Sequence, residues 1–457
     1  MTLEILSYLS GLLLLLWFSP LLLLAGLLLL LCLVLSNWQD EAPDPELVRL
    51  LQRQVIQPAQ EQNGYFAWVG VMGPVDQEPL AWGKRWYLEA RRLDAGEGSV
   101  AEHPLDKELR QETIGREQMP CASKPGRCLE LTRKDMVQAR TILEQGAQTL
   151  ARGEVAMACR YYQEPRWAGM SVERFLYFKH PSQWSGLSGT RFALAVAEGR
   201  DGEGLAQLAR EMDFYRRQLA GSATLISKMV ALAWMERSYQ FLNQYLRQFP
   251  EGAREHRELL VRMLAPLPEA AVDMHTVLET EFLMVHNSLL AQKLGQEIQL
   301  SKALSLGQLN LLYLPQATAN GHFRQAQALL ALEGRRGADY AHRVARLGQQ
   351  NEVILEPDWF LPRNLVGRIL LQVGQPNWSS YFLRRDDLLV WRQVVALQLD
   401  MLESGLGVAE VVDQALLEGH LAHPFNGRSP RWNLKSRHLV YEALPQRREG
   451  KALEIRL

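Results

Sequence analysis

The order of apolar and polar positions divides the chain into a leucine-rich start, a long body with helical periodicity and a short alternating tail. Residues 5–35 carry no charged side chain, and residues 12–35 are almost all leucine. Crossing the hydrocarbon layer takes ~20 apolar residues at ~1.5 Å of rise each. The run is therefore long enough to cross once with tilt and too short to cross twice. Pro20 predicts a kink of the kind membrane helices tolerate, and Trp17 and Trp38 suit interface depths. A cleaved signal peptide needs a basic start and a small-x-small exit. Residues 1–11 have no Lys or Arg, and the exit Leu33-Val-Leu-Ser-Asn-Trp38 offers no Ala-x-Ala. An uncleaved membrane anchor is expected over residues 1–38, with the lipid bilayer as its partner.

Behind the anchor, Ala42-Pro-Asp-Pro45 reads as a stiff link. Residues 46–57 suit a helix stopped by Pro58. Residues 65–72 are aromatic and β-branched, which predicts a strand or a buried extended segment closed by Gly73-Pro74. Asp76 is placed to cap a helix running to about Leu93. With the polar stretch that follows, these form a mixed part over 39–130. Residues 131–153 read as one helix, with Met136, Ala139, Leu143, Ala147 and Leu150 on one face.

Residues 161–188 are rich in loops and aromatics: Tyr161, Tyr162, Trp167, Phe175, Tyr177, Phe178 and Trp184. They suit either a wall of core aromatics or a ligand cleft. Helices at 191–199 and 204–219 flank Arg200-Asp-Gly-Glu203, a hairpin whose size resembles one tetratricopeptide unit, with no second copy along the chain. Longer helices follow at 223–249, 268–294, 316–347 and 360–402, the last broken at Gly374-Gln-Pro376. They complete a helical body over 131–417 with helix-on-helix packing. Over 418–457 a turn-rich stretch precedes strand-like segments at 431–434, 439–443 and 452–457. The expected fold class is mainly α: a transmembrane helix, a multi-helix body of helical hairpins and a small C-terminal β element.

Charge narrows the function classes. Lys plus Arg total 50 and Asp plus Glu 51 in 457 residues, a net charge of -1. Nucleic-acid affinity draws on phosphate neutralisation by excess cations, so no nucleic-acid partner is expected. The cysteines are Cys32, Cys121, Cys128 and Cys159, without zinc spacing. Cys121 and Cys128 bracket a turn with Pro125 and Gly126, so in an oxidising compartment they are expected to bridge; otherwise they are two buried thiols. The positive-inside rule speaks weakly, because the first cation after the run is Arg49 and the exit is acidic. The disulfide reading places the N-terminus in the cytoplasm and the body outside it.

The segment His423-Pro-Phe-Asn-Gly-Arg-Ser-Pro430, followed by Leu439-Val-Tyr441, resembles a C-terminal element of membrane-anchored bacterial proteins that usually runs Asp-Pro-Phe-x-Gly-x-Pro-Leu. Here His423 replaces the Asp, Ser429 is inserted before the Pro, and Arg431 stands for the Leu. Asp213-Phe-Tyr-Arg216 and Thr224-Leu-Ile-Ser-Lys228, within 210–228, also resemble a helical segment of such proteins. The resemblance covers about a tenth of the chain. It implies a Gram-negative envelope location, which with the orientation above means a bacterial inner membrane with the N-terminus cytoplasmic and the body periplasmic, and no particular activity.

Familiar catalytic signatures are absent from the sequence: H-E-x-x-H, S-x-x-K, the phosphate loop and the Rossmann glycines. Gly186-Leu-Ser-Gly-Thr190 approaches a nucleophile elbow, but Thr190 stands where the second glycine belongs. On one helix, His275, Glu279, Phe282 and His286 fall on one face. They suit a metal or acid–base pair, or a solvated or interhelical polar stripe. His275 and His286 are ~16 Å apart along the helical rise, so they cannot share an ion. Arg216, Arg217 and Lys228 are candidates for an anionic headgroup or glycan. No catalytic, cofactor or metal residue is assigned and no cofactor is expected. The favoured reading is a non-enzymatic scaffold or partner-binding protein of the envelope, with another envelope protein as candidate partner; the alternative is an envelope hydrolase with its site near 161–184.

Overall fold

The computed structural model describes residues 24–29, 31–52, 61–94, 105–109, 114–167, 179–290, 313–333, 335, 337–353, 363–373, 378–404, 406–444, 447 and 451–457. Among the described residues the chain is mainly helical, with one three-stranded sheet. It clusters into two units. The first comprises Met1–Arg53, His286–Gln327 and Leu347–Pro376; the second comprises Gln54–Val285, Ala328–Arg346 and Asn377–Leu457.

In the first unit, residues 24–29 and 31–36 are helical. Most of the expected membrane span, including Pro20 and Trp17, lies outside the described residues. Among the described residues no helix is long and apolar enough to cross a membrane. The described leucines are nevertheless uncovered: Leu24, Leu27, Leu28, Leu29, Leu31 and Leu35 are 52–63% exposed. The stretch after them is more than a stiff link. Asp40 accepts from the backbone N–H groups of Gln316 and Ala317 at 2.7 and 2.9 Å, at the start of the helix Pro315–Leu330. Asn320 on that helix accepts from Asp44 N–H at 3.1 Å and donates to the Ala42 carbonyl at 2.9 Å. Extended proline-rich backbone exposes carbonyls and amides that must find partners, and here side chains of the same unit supply them.

In the second unit the packing centres on six helices: α1 (Gly64–Gly70), α2 (Ala147–Ala158), α3 (Lys179–Ala197), α4 (Asp201–Gly221), α5 (Leu225–Gln248) and α6 (Trp378–Ser404). The expected strand at 65–72 is instead α1. A short apolar run does not distinguish a strand from a wholly buried helix by periodicity, and α1 is buried almost all round. Asn63 decides the matter locally. Its Oδ1 accepts from Tyr65 N–H at 3.1 Å, an N-cap, and from Gln163 N–H at 2.9 Å. Gly70 and Gly83 let α1 lie backbone to backbone on the helix Pro79–Asp94, since a Cβ at Gly83 would meet the Phe66 carbonyl oxygen at 1.8 Å. That second helix is capped by Glu78, at Leu80 and Ala81 N–H, rather than by Asp76.

The single helix expected at 131–153 is three: Cys128–Lys134, Met136–Gln145 and α2, broken by the cap at Asp135 and by Gly146. Likewise Asp273 separates Glu269–Val272 from His275–Leu290, and the segment around Gly337, at φ +91°, separates Pro315–Leu330 from Ala338–Val353. The hairpin of α3 and α4 forms as expected, turning at Gly199 (φ +72°), but both helices exceed the expected lengths. Trp68 of α1 meets Trp184, Phe214 and Trp234 at ring distances of 5.1, 5.1 and 5.3 Å, so α1, α3, α4 and α5 share one aromatic core.

The tail forms the expected antiparallel sheet β1 (Arg431–Asn433), β2 (His438–Tyr441) and β3 (Leu453–Arg456), with Trp432 opposite Leu439 and Leu439 opposite Ile455. Leu439, Tyr441 and Ile455 are buried. Asn243 of α5 donates to the Arg456 carbonyl at 2.8 Å and to Gln398 of α6 at 2.9 Å, pinning the sheet edge to two helices.

Candidate functional site

The densest polar centre of the second unit lies where the His423-Pro-Phe segment meets α6. A loop in which Gly427 N–H donates to the His423 carbonyl at 2.7 Å, with Gly427 at φ +71°, turns His423 and Phe425 inward. Phe425 stacks edge-on against Tyr340 at 5.6 Å, and His423 against Tyr441 at 5.6 Å. His423 Nδ1 accepts from Phe425 N–H at 3.1 Å. The imidazole proton is therefore on Nε2, which donates to Asp387 Oδ1 at 2.8 Å. Arg447 completes the centre with Nη2 and Nε at 2.7 and 3.1 Å from the two Asp387 oxygens. Burial alone would raise the Asp387 carboxyl; hydrogen bonds from His423 and Arg447 outweigh it and hold the group below its ordinary value. On α5, burial and then the negative charge of Asp387 push Glu236 up to about 7.

A carboxylate oriented by a histidine suggests acid–base chemistry, but the hydrogen bonds decide otherwise. In a catalytic triad one imidazole nitrogen faces the carboxylate and the other accepts a nucleophile's proton. Here the second nitrogen is taken by the chain's own Phe425 amide. Asp387, His423 and Arg447 form a clasp that closes the tail onto α6.

Two residues before Asp387 on α6, Arg385 is wholly buried. It reaches Asp386 Oδ1 at 3.0 Å, Glu333 Oε1 at 3.1 Å and the Tyr340 hydroxyl at 3.0 Å, with Phe382 under its guanidinium. These carboxylates hold its pKa above the ordinary value against burial. A second buried centre sits at the start of α5. Glu164 accepts from Ala223 and Thr224 N–H at 2.7 and 3.0 Å and from Ser227 Oγ at 2.6 Å; Glu281 accepts from Leu225 N–H at 2.8 Å. Glu164 thus holds the two amides that lead into a 24-residue helix and Glu281 its first amide, while the Thr224 hydroxyl caps Ser227 N–H. Sequence reading singled out His423 within the C-terminal element and missed the other groups. The available signal was Arg384-Arg-Asp-Asp387 inside an otherwise apolar helical run.

The residues singled out from sequence fall as follows. Cys121 and Cys128 are joined, with Cα atoms 4.5 Å apart, while Cys159 is a buried free thiol. Glu279 is buried and bonded to His275 at 3.1 Å and to Arg166 at 3.3 Å. His286, further along the helix, is also buried and belongs to the first unit, where its charge, after burial, helps push His322 down to about 4. Glu279 and His286 are thus withdrawn from water, while His275 is exposed. Arg216 and Arg217 donate to the Met263 and Met157 carbonyls. Lys228 donates to the Leu219 and Ala270 carbonyls at 2.6 and 3.3 Å, and burial pushes it down to about 8. All three cations serve the fold's own backbone.

Tyr162, Trp167 and Trp184 are core side chains, while Phe175, Tyr177 and Phe178 lie outside the described residues. Ser188 sits inside α3 and donates to the buried Glu211. Among the described residues no group of three or more His, Cys, Asp or Glu is arranged to hold a metal ion. No family model, no curated protein and no solved structure matches this chain.

Proposed function

We propose that this chain is a single-pass protein of a bacterial inner membrane whose helical body stands outside the cytoplasm and binds another envelope protein. The observation that carries the reading is the row of leucines from Leu24 to Leu35, helical and more than half exposed at six positions. Leucine side chains left in water each cost about 1.5–3 kcal/mol relative to burial, and hydrocarbon is the cover that a helix exposed on all sides requires. The joined Cys121 and Cys128 support placing the body in an oxidising compartment. The clasp at His423, with both ring nitrogens used internally, supports binding over turnover, as do the core positions of Tyr162, Trp167 and Trp184.

The test is a fusion of alkaline phosphatase after Leu457 in a Gram-negative host, with crosslinking of the full chain in its own membranes. The reading expects active phosphatase, retention of the protein in the carbonate-washed membrane, and a discrete crosslinked species. Inactive phosphatase with a fluorescent cytoplasmic reporter at the same position overturns the topology. A purified full-length chain that hydrolyses an envelope ester, peptide or glycan at catalytic rates overturns the binding role.

A further inference from the structure

The end of the leucine run is bonded to a segment far away in sequence. Arg363 is exposed and donates through Nη1 to the Ser36 carbonyl at 3.1 Å and through Nη2 to the Gln39 carbonyl at 3.2 Å. Asn364 N–H donates to Asn37 Oδ1 at 2.8 Å. The helix Leu365–Val373 therefore starts at the level where the leucine run ends. Its inner face is fixed: Gly367 lies against Thr318, where a Cβ would meet the hydroxyl at 1.9 Å, and Leu371 is buried toward Gly321. Positions four apart share a helix face, so Leu365 and Ile369 lie opposite Gly367 and Leu371. Ile369 is 43% exposed and Leu365 is half-buried, flanked by Arg363 and the half-buried Arg368.

We infer that the helix Leu365–Val373 lies on the bilayer surface, with Leu365 and Ile369 in the headgroup–acyl boundary and Arg363 at the lipid phosphates. The inference rests on the anchored reading above. Three observations favour lipid as the occupant of this face. It is continuous, through Arg363 and Asn364, with the exit of a leucine-covered helix. It pairs apolar side chains with cations, the combination that holds amphipathic helices at anionic interfaces. Its attachment is also inflexible, because Asn364 bonds Leu314 N–H at 2.8 Å and the Thr318 hydroxyl at 2.9 Å as well as Asn37. The end of the leucine run and the start of the surface helix are thus tied by hydrogen bonds, and the chain holds the bilayer at two points.

The experiment places an environment-sensitive fluorophore on cysteine in the full chain, with Cys32→Ser and Cys159→Ser as background and vesicles of phosphatidylcholine and phosphatidylglycerol carrying a nitroxide near the headgroup. Labels go in turn on Ile369→Cys, Leu365→Cys and Leu29→Cys. The inference expects the labels at 369 and 365 to be quenched by about twofold or more relative to nitroxide-free vesicles, as for interfacial side chains, with circular dichroism unchanged. Adding Arg363→Glu should weaken that quenching as phosphatidylglycerol is raised. Quenching at 29 with water-like, unquenched emission at 369 and 365 overturns the surface helix and leaves the anchor standing. Unquenched emission at all three positions overturns both.

Discussion

The backbone N–H of Asn364 meets Asn37 Oδ1 at 2.8 Å across 327 positions of sequence. Asn364 has φ +53°, a left-handed conformation that asparagine accepts more readily than most residues. Its side chain accepts from Leu314 N–H at 2.8 Å and bonds Thr318 Oγ1. One residue thus ties the end of the leucine helix, the start of Pro315–Leu330 and the start of Leu365–Val373.

Asn364→Ala removes the side-chain bonds and leaves the left-handed backbone without its preferred residue. The expected loss is about 2–3 kcal/mol in the first unit. Hydrogen exchange of the full chain should show the amides of Gln316 and Ala317 losing protection while those of α5 keep theirs. Unchanged exchange at both sites would refute the assignment of this residue as the tie.

The clasp at Asp387 predicts a large, pH-dependent cost. Asp387→Asn leaves the mostly buried Arg447 without its counter-charge, and breaking such a pair costs about 3–5 kcal/mol. Because the folded carboxyl is held low, its stabilisation is complete above the unfolded value of ~4 and is lost as pH falls through the lower folded value. Denaturant titrations should show a full difference between wild type and variant at pH 7 that shrinks below pH 4. A difference independent of pH would sink the electrostatic account.

Glu211 has the opposite sign. Burial pushes it up to about 7, with hydrogen bonds from Ser188 and Gln207 opposing the rise. A carboxyl whose folded value is raised gives stability that is full below ~4.3 and falls as pH rises through about 7. Glu211→Gln, which never ionises, should match wild type near pH 5 and exceed it at pH 8 by about 2–3 kcal/mol. Urea midpoints at the two pH values check this, and a variant weaker than wild type at pH 8 contradicts it.

The Cys121–Cys128 bond closes a short loop, so its contribution is at the low end of the usual range, about 2–3 kcal/mol in the chain-entropy account. Non-reduced peptide mapping of protein from its own membranes should find this pair linked and Cys159 alkylated after unfolding. Free thiols at both 121 and 128 would remove the argument for a body outside the cytoplasm.

Much of the architecture was legible along the chain. Apolar recurrence at three and four residues located the long helices, because that signal is local and repeats several times, and strand-like composition behind a turn-rich stretch located the three short strands of the tail. The uncharged run at 5–35 and the cysteine spacing were equally direct. The breaks were harder. Asp135, Gly146 and Asp273 interrupt helices whose apolar period continues across them, so periodicity alone joined what a single cap separates. Residues 65–72 read as a strand or a buried extended segment because a run of apolar residues lacks the polar positions that reveal a period; the Asn63 cap and the close approach of Gly70 and Gly83 to facing backbone made that run a helix.

The polar centres were beyond local reading for a different reason. Whether a carboxylate is solvated or buried depends on partners hundreds of positions away. Asp387 meets His423 and Arg447, Glu164 meets the start of α5, and Arg363 meets the end of the leucine run. The sequence by itself determined which residues were apolar enough to be covered and how often they recurred. Tertiary structure decided which charges were taken from water, because the desolvation that shifts and pairs them comes from segments brought together only by folding.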